Sequence, residues 1–268
     1  MSTKSKQISM AASAIALRGV RLFLTAGRAA ADRSQGTAAP PASKPKRKEK
    51  KAVTGKPPQK VFEMLLKTTR FNKPEIEALY TMYRRLVATA QAAAPTTAIG
   101  HSPKIDGIDQ STFRDVMHNT FDLVTEEAIL ERMWMTWERG AAGGEGSLRF
   151  ESWVKGLSVL LRGNTDERIT YCFKVYDLNN DGFITKDEMF LLLRNSLLKQ
   201  PGDEDPDEGV RELVELVLKK LDVDKDGTVS TDDYKQAVEQ EPLLLEAFGQ
   251  CLPSKRHSTT FLKTLTNK

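Results

Sequence analysis

From Phe71 onward, apolar residues recur at helical spacing, interrupted by short polar loops that carry glycine. Ile76, Leu79, Tyr80, Tyr83 and Leu86 share one face of a first helix. Asn72 can cap it, with Pro74 and Glu75 in the first turn. A polar, Ala/Pro-rich stretch follows at residues 92–105. Residues 125–137 form an amphipathic pattern, and Trp153, Leu157, Leu160 and Leu161 mark the buried face of another helix. Further on, Ile169, Cys172, Phe173 and Tyr176 predict a helix over 165–176, and Met189, Phe190 and Leu193 one over 186–198. Leu191, Leu192 and Leu197 exceed what one buried face needs, so some are candidates to line a groove. Residues 199–209, KQPGDEDPDEG, read as an acidic linker rich in Pro and Gly. Leu213, Val214, Val217, Leu218 and Leu221 then predict a helix over 210–221.

The loops between these helices carry the chemistry. Residues 177–188, DLNNDGFITKDE, match the twelve-residue calcium pattern D-x-[DN]-x-[DN]-G-x₅-E. Asp177, Asn179 and Asp181 offer side-chain oxygens at positions 1, 3 and 5. The Phe183 carbonyl serves position 7, Thr185 sits at 9, and Glu188 binds through both oxygens at 12. Gly182 at position 6 permits the turn, and Thr185 with Glu188 forms a capping box for the following helix. Residues 222–233, DVDKDGTVSTDD, repeat the pattern with Asp222, Asp224, Asp226, the Thr228 carbonyl, Ser230 and Asp233. Aspartate at position 12 is one methylene shorter than glutamate. We therefore expect two Ca²⁺ sites, the first near 10⁻⁷ to 10⁻⁵ M in order of magnitude and the second weaker or tolerant of Mg²⁺. Ile184 and Val229, both at position 8, should pair in a short antiparallel ribbon.

Two earlier loops keep the rhythm without the ligands. KIDGIDQSTF, residues 104–113, resembles the second half of such a loop, with Ile108 near position 8 and Asp109 near 9. In residues 141–152, Leu148 falls at position 8 and Gly146 at 6. Ala141, Gly143 and Ser152 replace the ligands at 1, 3 and 12, leaving Glu145 alone. Four helix–loop–helix units in two lobes follow. The expected fold is all-α: a two-lobed EF-hand fold of the calmodulin and neuronal calcium sensor type, with a disordered basic N-terminal extension. The corresponding divisions are an arm (1–60), a degenerate lobe without metal ligands (61–163), a calcium-loop lobe with a C-terminal helix (164–252) and a basic tail (253–268).

Charge changes the picture at the front. Residues 1–60 hold 14 Lys and Arg against 2 acids, while the remainder holds 26 against 34, so the overall +4 conceals a basic arm on an acidic body. Cys172 and Cys251 lie in apolar helical patterns and are expected to be buried free thiols. No apolar run reaches the ~20 residues of a membrane span. His101, His118 and His257 form no metal cluster, there is no P-loop, and no nucleophile–base pair stands out, so no enzymatic activity is expected.

YCFKVYDLNNDGFITKDEMF (171–190), NSLLKQPGDEDPDEG (195–209) and LLLEAFGQCLP (243–253) resemble the calaxins, ciliary members of the neuronal calcium sensor-like EF-hand proteins. The resemblance runs from about residue 71 to 253. It implies a calcium sensor at the outer dynein arm, with outer-arm dynein and docking-complex components as partners and the axoneme of cilia or flagella as location. Aspartate at position 233 also fits that family's pattern. Its members carry a metal-competent loop where this chain has residues 141–152, so one site is lost here.

The arm leaves three readings open. It is a solvated extension without a dedicated role, an electrostatic tether to an acidic surface such as a tubulin tail, or a mitochondrial targeting segment. PKRKEKK also fits a nucleic-acid or nuclear-localisation pattern with many false matches, and nucleic acid is not an expected partner. Ser2 lacks the glycine of an N-myristoyl signal. At the other end, residues 241–252 predict a short helix whose Leu244, Leu245 and Phe248 pack over the second lobe, and residues 253–268 predict a loose tail.

Overall fold

The computed structural model describes residues 57–93, 107–138, 146–197 and 207–266, which all belong to one unit, Val53–Lys268. The arm (1–56), the loop starts at 94–106 and 139–145, and most of the acidic linker lie outside the described residues. Among the described residues, the elements in order are α1 (Gln59–Thr68), α2 (Lys73–Ala93), α3 (Gln110–Phe121), α4 (Glu127–Glu138), α5 (Phe150–Arg162) and α6 (Thr165–Tyr176). Strand β1 (Phe183–Ile184), α7 (Lys186–Leu193), α8 (Glu208–Leu221), β2 (Val229–Ser230), α9 (Thr231–Gln240), a 3₁₀ helix (Pro242–Glu246) and α10 (Lys255–Thr266) complete the chain.

Position 8 of each loop organises the helices into pairs. Ile184 faces Val229 and Phe183 faces Ser230 in the antiparallel β1–β2 ribbon. The front half repeats this with a single antiparallel bridge between Ile108 and Leu148, closed by Ile108 N–H to Leu148 O (3.0 Å) and the reciprocal bond (2.7 Å). All four of these apolar residues are fully buried. Gly146 has φ +65°, as the turn before position 8 requires. The front half thus keeps the EF-hand skeleton although its acidic positions have gone.

The expected faces are buried where the pattern puts them. Ile76, Leu79 and Tyr83 of α2, Trp153, Leu157, Leu160 and Leu161 of α5, and the five apolar positions of α8 all lie in the core. Helix α6 buries Tyr171 and Val175 as well, because α4 packs on one side of it and α9 on the other. Trp137 crosses α5 at Gly156, where an added Cβ would stand 2.3 Å from the indole.

Four elements differ from the expectation. Helix α7 stops at Leu193, short of 198, in a turn closed by Ser196 N–H to Leu193 O (2.8 Å). Of its spare leucines, Leu191 stays exposed and Leu192 joins the core. The segment at 241–252 is a 3₁₀ helix followed by turns, because Pro242 starts it and Gly249 adopts φ +139°. Leu244 and Phe248 of this segment are buried. The tail expected to be loose is helix α10. Ser258, Phe261 and Leu265 line its inner face, against α2, α3 and α5. Finally, α1 precedes the first expected helix and buries Phe62 and Leu65.

One ion pair fastens the front half. Glu75, 2% exposed, closes the α2 capping box with Asn72 and receives both terminal nitrogens of Arg162 (2.8 and 2.5 Å). The Arg162 hydrogen bond outweighs the cost of burying the charge and holds the Glu75 carboxyl below its ordinary value. A depressed acid contributes stability that is complete above the unfolded value and lost as pH falls through the folded one. Glu75→Gln should therefore destabilise the chain by about 2–3 kcal/mol at neutral pH, discounted for the partly exposed arginine. The deficit should shrink in acid, below the ordinary carboxylate range. Urea melts at neutral and acid pH check this, and an equal deficit at both would contradict it.

Candidate metal centre

Each calcium-pattern loop is entered by a helix, turned by two left-handed residues, and left through a capping box. Position 4 is Asn180 (φ +61°) in the first loop and Lys225 (φ +64°) in the second, and position 6 is Gly182 (φ +92°) and Gly227 (φ +93°). Thr185 and Ser230 at position 9 are the N-caps of α7 and α9, each in a complete capping box with position 12.

In the first loop, Asp177 is 6% exposed, and its two oxygens accept from Asn180 N–H (2.6 Å) and Gly182 N–H (3.0 Å). Asp181 accepts from Phe183 N–H (2.9 Å) and the Asn179 amide (2.8 Å). Glu188, also 6% exposed, spans the loop. Its Oε1 accepts from Leu178 N–H (2.9 Å) and Asn179 N–H (3.1 Å), and its Oε2 from Thr185 N–H and Oγ1–H (both 2.8 Å). One side chain therefore ties position 12 to positions 2, 3 and 9.

The second loop is built alike with a shorter clasp. Asp222 accepts from Lys225 N–H (2.7 Å), Asp226 N–H (3.2 Å) and Gly227 N–H (3.0 Å). Asp226 accepts from Thr228 N–H (2.8 Å) and Oγ1–H (2.9 Å). Asp233 reaches back to Val223 N–H at 3.3 Å, longer than the two bonds, 2.9 and 3.1 Å, that Glu188 makes at the same place. The missing methylene is visible in that distance. Asp222, Asp224 and Asp226 bring one carboxylate oxygen each within 4.8 Å of one another. With Asn179 at position 3, the three carboxylates of the first loop form no such cluster among the described residues.

Electrostatics suits a cation. The Asp224 carboxyl lies above its ordinary value. The Asp226 N–H bond lowers it, but desolvation and the charges of Asp226, Asp233 and Asp222 together prevail. Like charges crowded this way are relieved by a hard divalent ion with oxygen ligands. Asp233, though desolvated, is held low by its bonds from Ser230 and Val223, so it stays an anion.

In the front half, Asp109 caps α3 through Thr112 N–H (3.1 Å) and Ser152 is buried within α5. Among the described residues, neither belongs to a carboxylate cluster like that of Asp222, Asp224 and Asp226. Positions 141–145 lie outside the described residues.

Residues 166–239 match the family model of the EF-hand domain pair. The chain is 45% identical to calaxin of Xenopus laevis over 199 residues, covering 74% of this chain and 89% of that protein. It is 42% identical to calaxin of Homo sapiens over 204 residues, 76% and 90% of the two chains. The chain belongs to the calaxin family. As a calaxin-family protein with an EF-hand pair, it binds calcium. Among the described residues, no helix is long and apolar enough to cross a membrane.

Cys172 and Cys251 are buried free thiols, as their apolar patterns predict, but three sets of contacts had little signal in the sequence. The two sulfurs lie 3.3 Å apart. Tyr176 Oη–H donates to Gly249 O and Tyr234 Oη–H to Leu245 O (both 2.5 Å), which pins the segment after α9 to the core. Arg132 of α4, 6% exposed, reaches the first calcium loop, a contact between residues more than 40 apart in the chain.

Proposed function

We propose that the protein is a calcium sensor with two sites. Asp177, Asn179, Asp181, the Phe183 carbonyl, Thr185 and Glu188 form the tighter one. Asp222, Asp224, Asp226, the Thr228 carbonyl, Ser230 and Asp233 form a weaker or Mg²⁺-tolerant one. The observation that carries this reading is the Glu188 side chain, which already links both ends of the first loop. An ion drawing on both its oxygens would compete with its bonds to Leu178, Asn179 and Thr185 and would so shift α7 relative to α6. The resemblance of the chain to the calaxins implies a place in motile cilia or flagella, with outer-arm dynein and docking-complex components as proposed partners. Calcium-dependent exposure of apolar surface to an amphipathic helix would then regulate or brace the dynein arms. The basic arm fits a contact with acidic tubulin tails, with mitochondrial targeting as the competing role.

A second reading has its own support. The Tyr176 and Tyr234 bonds and the buried Phe248 hold residues 242–252 firmly in place. That favours a calcium buffer or a constitutive structural subunit. Hydrogen exchange with and without saturating calcium separates the two. The sensor predicts faster exchange in residues 186–197 and 242–252 with calcium bound, and unchanged or slower exchange in both segments leaves the buffer.

A further inference from the structure

The first calcium loop is tied to the front half by one side chain. Arg132 lies on α4, and its Nη2 donates to Lys174 O (3.0 Å), to Asp177 O and to Asn180 Oδ1 (3.0 Å). Lys174 and Asp177 belong to the last turn and C-cap of α6, where carbonyls lack intrahelical partners and the helix dipole is negative. A buried guanidinium meets both needs, since it stays charged at any ordinary pH and its Nη2 alone reaches all three acceptors. Asn180 is position 4, held in the left-handed region. Arg132 therefore grips loop positions 1 and 4 from outside the expected coordinating set. The second loop has an exposed lysine, Lys225, at position 4.

We propose that Arg132 is the positioning residue through which calcium at residues 177–188 acts on the front half of the molecule. The inference rests on the calcium reading of that loop. A divalent ion at Asp177 faces the fixed positive charge on the carbonyl of the same residue, so occupancy of the loop and this grip oppose each other. Linkage makes the effect mutual: whatever calcium does to the grip, the grip does to calcium affinity. The seam has room to respond. A cavity of about 420 Å³ opens beside it, lined by Thr136 and Trp137 of α4, Val159 of α5, and Tyr171 and Lys174 of α6.

The chain carries its own reporter of this coupling. All three tryptophans lie in the front half: Trp134 and Trp137 on α4 and Trp153 on α5. Trp137 packs edge-on against Trp153, with ring centroids 5.7 Å apart. Tryptophan emission therefore reads α4 and α5, and calorimetry reads the loops.

The test titrates calcium into the full chain by both methods, for the wild type and for Arg132→Gln and Arg132→Lys. The wild type should show an emission change with the midpoint of the tighter calorimetric site. Arg132→Gln should bind calcium as tightly as the wild type or up to roughly tenfold tighter, and lose most of the emission change. Arg132→Lys, which restores the charge on a shorter side chain, should recover part of it. A full emission change at the wild-type midpoint in Arg132→Gln would overturn the proposal, as would loss of calcium heat in that variant alone. Calcium heat without any emission change in the wild type also overturns it while leaving the calcium reading intact. No heat in the wild type removes that reading and the coupling with it. Matched thermal melts of the variants exclude simple misfolding as the cause of a lost signal.

Discussion

Glu188→Gln should lower calcium affinity at the first loop by about 100-fold, or ~2.7 kcal/mol, while the chain stays folded. The Glu188 carboxylate touches both ends of the loop, Leu178 and Asn179 at one and Thr185 at the other. The amide keeps its length and one acceptor oxygen. It loses the negative charge and the second oxygen, and charge count is what sets EF-hand affinity. Its NH₂ also meets two donors wherever it is placed, the N–H groups at positions 2 and 3 or the N–H and hydroxyl of Thr185. The metal-free chain should therefore lose about 1 kcal/mol through the broken capping box. Calorimetry and a metal-free thermal melt measure the two effects separately. An unaltered tight site would mean that Glu188 is not a ligand.

Removal of residues 254–268 should lower the melting point by roughly 10 °C and raise the binding of an apolar dye without calcium. Helix α10 has only twelve residues, too few to be stable alone in water. It exists because Phe261 and Leu265 enter a groove formed by α2, α3 and α5, where the Phe261 ring meets Phe121 with centroids 5.1 Å apart. Burial of those two side chains is worth about 3–5 kcal/mol, partly offset by the entropy of ordering the helix. A net of about 3 kcal/mol shifts a domain of this size by several degrees per kcal/mol. Without α10 the apolar groove faces water. An unchanged melt and unchanged dye signal would show that the helix is not seated there.

The contrast between these two predictions shows what a sequence discloses. The turn geometry of residues 177–188 and 222–233 was legible because the calcium pattern fixes residue types at fixed spacing, so Asp177 to Glu188 carry their signal locally. The helices α6 and α8 were legible from their apolar stripes. The same is true of the skeleton of the front half, since Ile108 and Leu148 mark position 8 even where the acids are missing. Helix α10 was not legible. Its three apolar residues sit among Ser, Thr, Lys and Arg, and the groove that makes it helical is built from residues more than 90 positions earlier. Arg132 was hidden for a similar reason. On an amphipathic helix it reads as a solvated cation, and only the folded chain brings the end of α6 to it. The short α7 and the 3₁₀ helix after α9 depend on a turn at Leu193 and on the conformation of Gly249, which apolar periodicity does not encode.

The proposed division of labour, two working loops behind a degenerate half, is tested most directly by counting bound ions. Calorimetric titration of calcium into the metal-stripped full chain should give two ions per chain, and one weak ion for Glu188→Gln. A third ion in the wild type, or two sites of unchanged affinity in the variant, would contradict it.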